Sequence, residues 1–125
     1  VSTARGREAE ARAARYLRRR GYRILARNVR LARGEIDIVA LQTLTKGAPD
    51  EKILAFVEVK SRKHREDALE AMHADKCRRI LSASQAYIAQ HPNLAVLQCR
   101  FDLIILISGY WFPKIEHLKN IQIPA

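Results

Sequence analysis

"GEIDIVALQ", residues 34–42, and "ILAFVEVK", residues 53–60, decide how this chain folds. Each is dominated by Ile, Val, Leu and Phe, the composition of a strand buried in a sheet. Each also carries acids where an interior strand should have none: Glu35, Asp37 and Glu58, with Lys60 two residues beyond Glu58. Between them, "QTLTKGAPDEK" (42–52) contains Gly47, Pro49 and Asp50, which reads as the loop of a long hairpin. Side chains two apart share a face of a strand. Glu35 and Asp37 therefore share one face, as do Glu58 and Lys60. If the two strands pair, Asp37 and Glu58 converge near one end of the hairpin.

The elements on either side complete an α/β pattern. Residues 2–20 place Ala9, Ala13, Tyr16 and Leu17 at helical spacing, and Gly21 ends the helix. "YRILARNVR" (22–30) alternates in part and predicts a first strand, followed by a turn at "LARG". "SRKHRED" (61–67) reads as a charged connection, and one helix is predicted from Asp67 to Gln90, ended by Pro92. "AVLQCRFDLIILIS" (95–108) reads as a central strand. "YWFPKIEHL" (110–118) adds an edge strand, with Pro113 favouring the edge. The expected order is αβββαβ(β), a mixed central sheet flanked by helices. The whole fits a single domain over residues 1–119, with a loose tail from Asn120. Tyr16, Tyr87 and Trp111 are expected in the core or at its rim.

The 125 residues carry a formal net charge of +10, and 48% are apolar, enough for a packed core. Of 23 Lys and Arg residues, 11 fall between Arg5 and Arg33, and all 11 are arginine. Guanidinium forks match phosphate geometry, so nucleic acid is the expected partner, DNA ahead of RNA. A solvated helix face explains the same charge more simply, and an anionic membrane surface is a lesser rival. No apolar run approaches the roughly 20 residues of a membrane helix, and no secretory signal is evident, so a soluble, cytoplasmic chain without membrane contact is expected. Cys77 and Cys99 have no CxxC spacing, and the four histidines have no ligand spacing with them, which disfavours a zinc site. There is no GxxxxGK[ST] and no GxGxxG loop.

Two buried carboxylates side by side repel unless a proton or a cation intervenes. A divalent cation resolves this: magnesium takes oxygen ligands, commonly one or two carboxylates with water and a phosphate oxygen. Lys60 would then orient water or stabilise developing charge on a phosphate. The bland reading of Glu58 and Lys60 is the exposed face of an edge strand.

Asp37 followed by Glu58-Val59-Lys60 resembles the D…(D/E)xK signature of the restriction-endonuclease-like nuclease superfamily. The longer string "EARAARYLRRRGYRILARNVR…GEIDIVA…FVEVKSR…DKCRRI…RFDLI" resembles the YraN-like bacterial family over nearly the whole chain up to about Ile105. That family is similar in fold to archaeal Holliday-junction resolvases. The resemblance implies a restriction-endonuclease-like core and a metal-dependent endonuclease acting on DNA, branched DNA included, or on RNA. It implies magnesium or manganese as cofactor, Asp37 and Glu58 as metal ligands, and Lys60 as the catalytic lysine. Glu10, ahead of Gly21, matches a first-helix glutamate that joins the metal site in the resolvases. Glu35 belongs to the family's GEID segment. It is a third ligand, a neighbouring acid, or an ion-pair partner for an arginine. Lys76 and Arg79 match a KxxR pattern, and Asp102 an RFD segment read as structural. Arg30, Arg33, Arg62 and Lys63, with Lys76 and Arg79, are expected to hold phosphates, although for Lys76 and Arg79 a solvated helix face is the simplest account. By analogy with the resolvases, a homodimer is admitted. The alternative function is a non-catalytic nucleic-acid-binding module on the same fold. The chain departs from the family pattern in a longer loop at Gln42–Lys52, and in "HREDALEAM" where a glycine often follows the ExK segment.

Overall fold

A computed structural model of the protein describes residues 4–44, 51–109 and 111–123. The elements are α1 (Ala4–Arg19), β1 (Arg23–Leu31), β2 (Gly34–Thr43), β3 (Lys52–Arg62), α2 (Arg65–Glu70), α3 (Ala74–Gln90), β4 (Gln98–Ile107) and β5 (Lys114–Leu118), with one 3-10 turn at Pro92–Leu94. The sheet runs β1-β2-β3-β4-β5. β3 and β4 are parallel, and the other three pairings are antiparallel. The parallel step needs a long crossover, which α2 and α3 supply. This is the mixed α/β sheet expected from the sequence, consistent with a nuclease-like core.

Alternation along the strands separates two cores, with one slip: Ile36 and Ile38, two residues apart in β2, lie in opposite cores on either side of Asp37. Ile38, Ala40, Ala55, Val57, Ile104 and Leu106 face α1, which meets them with Ala9, Ala13, Ala14 and Leu17. The small alanines let the helix lie close to the sheet. Ile36, Val39, Leu54 and Phe56 face the other way, against Ala83 and Tyr87 of α3. At the end of α1, Gly21 takes a left-handed φ of 87° and the Tyr22 amide donates to the Leu17 carbonyl, closing the helix.

Three boundaries differ from the sequence reading. The single helix expected over 67–90 is two helices, broken at residues 71–73. The His73 side chain caps α3 by accepting from the Lys76 amide at 3.2 Å, with Asp75 in the first turn. Helical periodicity runs through the break, so only this local cap marks it. The charged connection from Ser61 is in part strand: Ser61 and Arg62 stay paired with Leu106 and Ile107 of β4. The last long strand starts at Gln98 rather than Ala95, because the 3-10 turn carries the chain around and leaves Val96 87% exposed.

β4 is an interior strand, although β3 is the middle one, and β5 is an edge. After β5 the Asn120 amide donates to Asp102 Oδ1 at 3.0 Å and the Ile121 amide to the Phe101 carbonyl at 2.7 Å. The chain expected to be loose from Asn120 is therefore fastened to β4 through Ile121. In the expected long loop at 42–52, Gln42, Thr43 and Lys52 are strand residues, and positions 45–50 lie outside the described residues.

Gly34, which opens β2, lies beneath α3. A Cβ there would overlap the Arg79 carbonyl. This contact sets α3, with Lys76 and Arg79, directly beside the GEID segment.

Candidate functional site

The β2–β3 ladder stops at the pair Ile38↔Val57. One residue further, Asp37 no longer pairs through its backbone. Instead its Oδ2 accepts the Val59 amide at 2.8 Å. A side chain thus satisfies the strand where the hairpin opens, and the opening makes a cavity of about 320 Å³. Asp37, Glu58, Lys60 and Lys76 line it, with Glu10 from α1 and Glu35 from the start of β2. All four acids singled out in the sequence therefore border one space.

They are not equivalent. Glu58 is 4% exposed, deep in the sheet. Its Oε2 lies 3.2 Å from Lys60 Nζ and 3.0 Å from Lys76 Nζ, while its buried Oε1 has no hydrogen-bond partner. Burial, followed by the charge of Glu58 and a hydrogen bond with it, pushes the Asp37 carboxyl up to about 8; the Val59 amide and Lys76 pull it only part of the way back. The upward direction is the ordinary response of a half-buried carboxyl set beside a buried carboxylate: the pair favours keeping a proton. Glu10, also buried, is held by Arg27 Nε at 3.2 Å, and the half-exposed Glu35 lies 3.6 Å from Arg30 Nε. Among the described residues, no three His, Cys, Asp or Glu side chains form a ready cage for a cation. The deep part of the site is a pair of acids, and the other two acids stand at its rim with arginine partners.

Beside this cavity lies a basic cleft of about 250 Å³. Arg30, Arg33, Lys76 and Arg79 line it, and it shares Glu35 and Lys76 with the acid cavity. Four of the six residues expected to hold phosphates therefore meet in one place. Arg62 lines the acid cavity, and its guanidinium donates to the Ser61 carbonyl at 2.9 Å. Lys63 is exposed and borders neither space. Sequence reasoning missed Arg27, the partner of Glu10, and Asn28, which lines the cavity with a left-handed φ of 52°. Asparagine tolerates that conformation, so "ARN" in a strand was a legible signal for an irregularity. Nothing local marked Arg27.

Asp102, itself fully buried, belongs to a different assembly. Arg100 grips it with Nε–Oδ1 at 2.8 Å and a second bond at 2.9 Å, and His117 Nε2 lies 2.8 Å from Oδ2. Arg100 also donates to Tyr22 Oη and Gln42 Oε1. Burial alone would raise the Asp102 carboxyl, but the His117, Arg100 and Asn120 hydrogen bonds hold it below its usual value. Its acceptors are occupied, and it ties β4 to β5 and to the end of α1, which is the structural role read for it.

The model of the uncharacterised protein family UPF0102 matches residues 9–106, a span that contains every acid of the site together with Lys60, Lys76 and Arg79. A UPF0102 protein of Nitrobacter winogradskyi is 44% identical over 101 residues, covering 81% of this chain and 79% of that one. One from Rhodopseudomonas palustris is 43% identical over 101 residues, covering 81% and 72%. One from Azorhizobium caulinodans is 42% identical over 103 residues, covering 82% and 72%.

Proposed function

This chain belongs to the uncharacterised protein family UPF0102, and from its site we propose that it is a metal-dependent endonuclease hydrolysing phosphodiester bonds of nucleic acid, DNA ahead of RNA. The observation that carries this reading is the pairing of buried Glu58 with half-buried Asp37, on a cavity flanked by a basic cleft. The pair fits a divalent cation. Glu58 Oε1 is buried without a partner, and the raised affinity of Asp37 for a proton marks a place where a cation would relieve the same repulsion. Two carboxylates are a sufficient protein contribution for magnesium or manganese, which keep water and phosphate oxygens as their remaining ligands. Asp37 and Glu58 would hold the ion, with Glu10 and Glu35 at the rim. When bound, it supplies Lewis acidity at the phosphate and lowers the pKa of a water.

The chain's own groups account for the rest. The Val59 amide fixes the orientation of Asp37. Arg30, Arg33 and Arg79 would hold phosphates flanking the scissile one. Lys60, on the Glu58 face of β3, would donate to a phosphate oxygen as negative charge accumulates there. Hydrolysis forms a bond from the water oxygen to phosphorus and breaks the phosphorus–oxygen ester bond. The departing oxygen takes up a proton, and the water gives one up. The set Asp37, Glu58 and Lys60 also resembles the D…(D/E)xK signature.

A non-catalytic nucleic-acid-binding module is the second reading. It draws on the lysines that already neutralise Glu58 and on the lack of a three-ligand cage among the described residues. Such a protein would act in the cytoplasm. No helix among the described residues is long and apolar enough to cross a membrane. By analogy with the resolvases, a homodimer would present two sites to a branched junction. The deciding experiment incubates duplex, single-stranded and branched DNA, and RNA, with the protein and magnesium or manganese. Cleavage lost in Asp37→Asn and Lys60→Ala supports the nuclease. No cleavage of any of them, with binding retained, supports the module.

A further inference from the structure

The largest arginine cluster in the sequence is not at the acid site. Arg12, Arg15, Arg19 and Arg20, with Tyr16, line a separate cleft of about 480 Å³ between the second half of α1 and the β4–β5 turn, where Phe112 and Pro113 form the other wall. Arg12 is tied to Glu8 at 3.1 Å, and Arg20 lies over the Tyr16 ring at 4.5 Å. Arg15 and Arg19 are exposed and make no ion pair with a described residue. Phe112, which lines the cleft, is 79% exposed, and its chain neighbour Trp111, just outside the lining, is 99% exposed. The sequence reading put Trp111 in the core or at its rim. The structure corrects this, because the turn lifts it clear of the sheet. Two adjacent exposed aromatics beside uncompensated arginines need a partner with flat apolar faces and negative charge.

We propose that the second half of α1 and the β4–β5 turn form a binding surface for single-stranded nucleic acid, with phosphates on Arg15 and Arg19 and unpaired bases stacked on Trp111 and Phe112. An unpaired strand offers both chemistries at once, whereas a duplex offers its phosphates but keeps its base faces stacked internally. A second copy of this chain fits poorly. Across a two-fold interface the patch would meet itself and set arginine against arginine. α1 also connects the two regions. Glu10 borders the acid cavity and Arg19 the aromatic cleft, about 14 Å apart along the helix axis. The inference deepens the nuclease reading, which it uses only for where the strand leads. Its implied substrate is nucleic acid with an unpaired segment.

The test measures binding of a fluorescein-labelled oligothymidylate of about 20 nucleotides and a duplex of equal length by anisotropy, in EDTA so that nothing is cut. The full chain is compared with the Arg15→Ala/Arg19→Ala double variant, Trp111→Ala and, for the other basic cleft, Arg33→Ala. Loss of both arginines should flatten the salt dependence of single-strand binding by about 1.4 in log–log slope. Trp111→Ala should weaken that binding about 5-fold or more and leave duplex binding nearly unchanged. Trp111 is the only tryptophan, so its emission reports stacking directly: it should be quenched by the oligothymidylate and not by the duplex. The substituted side chains are exposed, and far-UV circular dichroism will verify folding. Unchanged single-strand affinity in the double variant and in Trp111→Ala overturns the proposal. So does sedimentation showing a dimer that Trp111→Ala dissolves, or Trp111 emission that responds to phosphatidylserine vesicles and not to the oligonucleotide. Because this binding is read in EDTA and cleavage in magnesium or manganese, a failed nuclease reading and a failed binding surface give different results.

Discussion

Lys76 Nζ on α3 lies 3.0 Å from Glu58 Oε2 on β3, so the helix bearing the basic cleft is fastened to the buried acid of the sheet. Both side chains are mostly buried, at 14% and 4% exposure, so solvent screens the pair little. Lys60 shares the same oxygen at 3.2 Å.

Removing Lys76 leaves Glu58 with a single ammonium in a poorly solvated place. Lys76→Ala should therefore cost about 1–3 kcal/mol, less than the ~3–5 kcal/mol of a fully broken buried pair, because Lys60 remains. Urea denaturation in EDTA measures the loss. Magnesium should raise the melting temperature of this variant more than that of the parent, since the ion would replace the missing charge. An equal rise in both would count against cation binding at Glu58.

Asp37 predicts the pH dependence. Its folded pKa is raised from 3.8 to about 8, so the folded state binds the proton more tightly than the unfolded state does. The sign follows: the folded state is favoured at acid pH, and this group's contribution is lost as pH climbs from about 4 to about 8, by at most ~1.4 kcal/mol per unit. Asp37→Asn retains an acceptor for the Val59 amide and removes the charge. In EDTA at pH 8 it should melt higher than the parent, and the two should converge toward pH 4. Magnesium affinity of the parent, measured by calorimetry, should rise over the same window, because the proton must leave first.

Cleavage by the proposed enzyme should fall by about a hundred- to a thousand-fold in Lys60→Ala with little change in substrate affinity, if Lys60 acts on charge that develops during reaction. Arg33→Ala/Arg79→Ala should do the reverse. It should weaken duplex binding and flatten its salt dependence by about 1.8 in log–log slope while the rate at saturation survives.

Gly34→Ala tests how α3 is seated. The added methyl would meet the Arg79 carbonyl, and neither backbone can yield as a flexible side chain would. A loss of about 1–3 kcal/mol is expected, along with weaker duplex binding as Lys76 and Arg79 move. An unperturbed melting temperature would show that α3 is seated elsewhere.

Much of the site could be read before any fold was known, because strand parity is local. Glu58 and Lys60 share a face by parity alone, and the stop at Gly21 follows from its own chemistry. Around Asp37 parity slips, since Ile36 and Ile38 lie in opposite cores, and only the structure shows Glu35 and Asp37 bordering one cavity. The break at residues 71–73 was hidden because the apolar stripe runs through it. Trp111 was misplaced because composition favours burying an indole, while the β4–β5 turn carries it away from the sheet. Glu10 has Arg7 three residues back and the uncharged Ala14 four residues on, and its partner Arg27 arrives from another element.

By itself, then, the sequence determined most of the side chains that each strand and helix turns to a common face, since regular backbone geometry repeats every two or 3.6 residues. Only the tertiary structure decided which faces meet. The hairpin opens at Asp37, α3 lies on Gly34 with Lys76 on Glu58, and α1 brings Glu10 to the rim. Those meetings are set by burial of apolar surface between residues distant in the chain, and local periodicity carries no record of that balance.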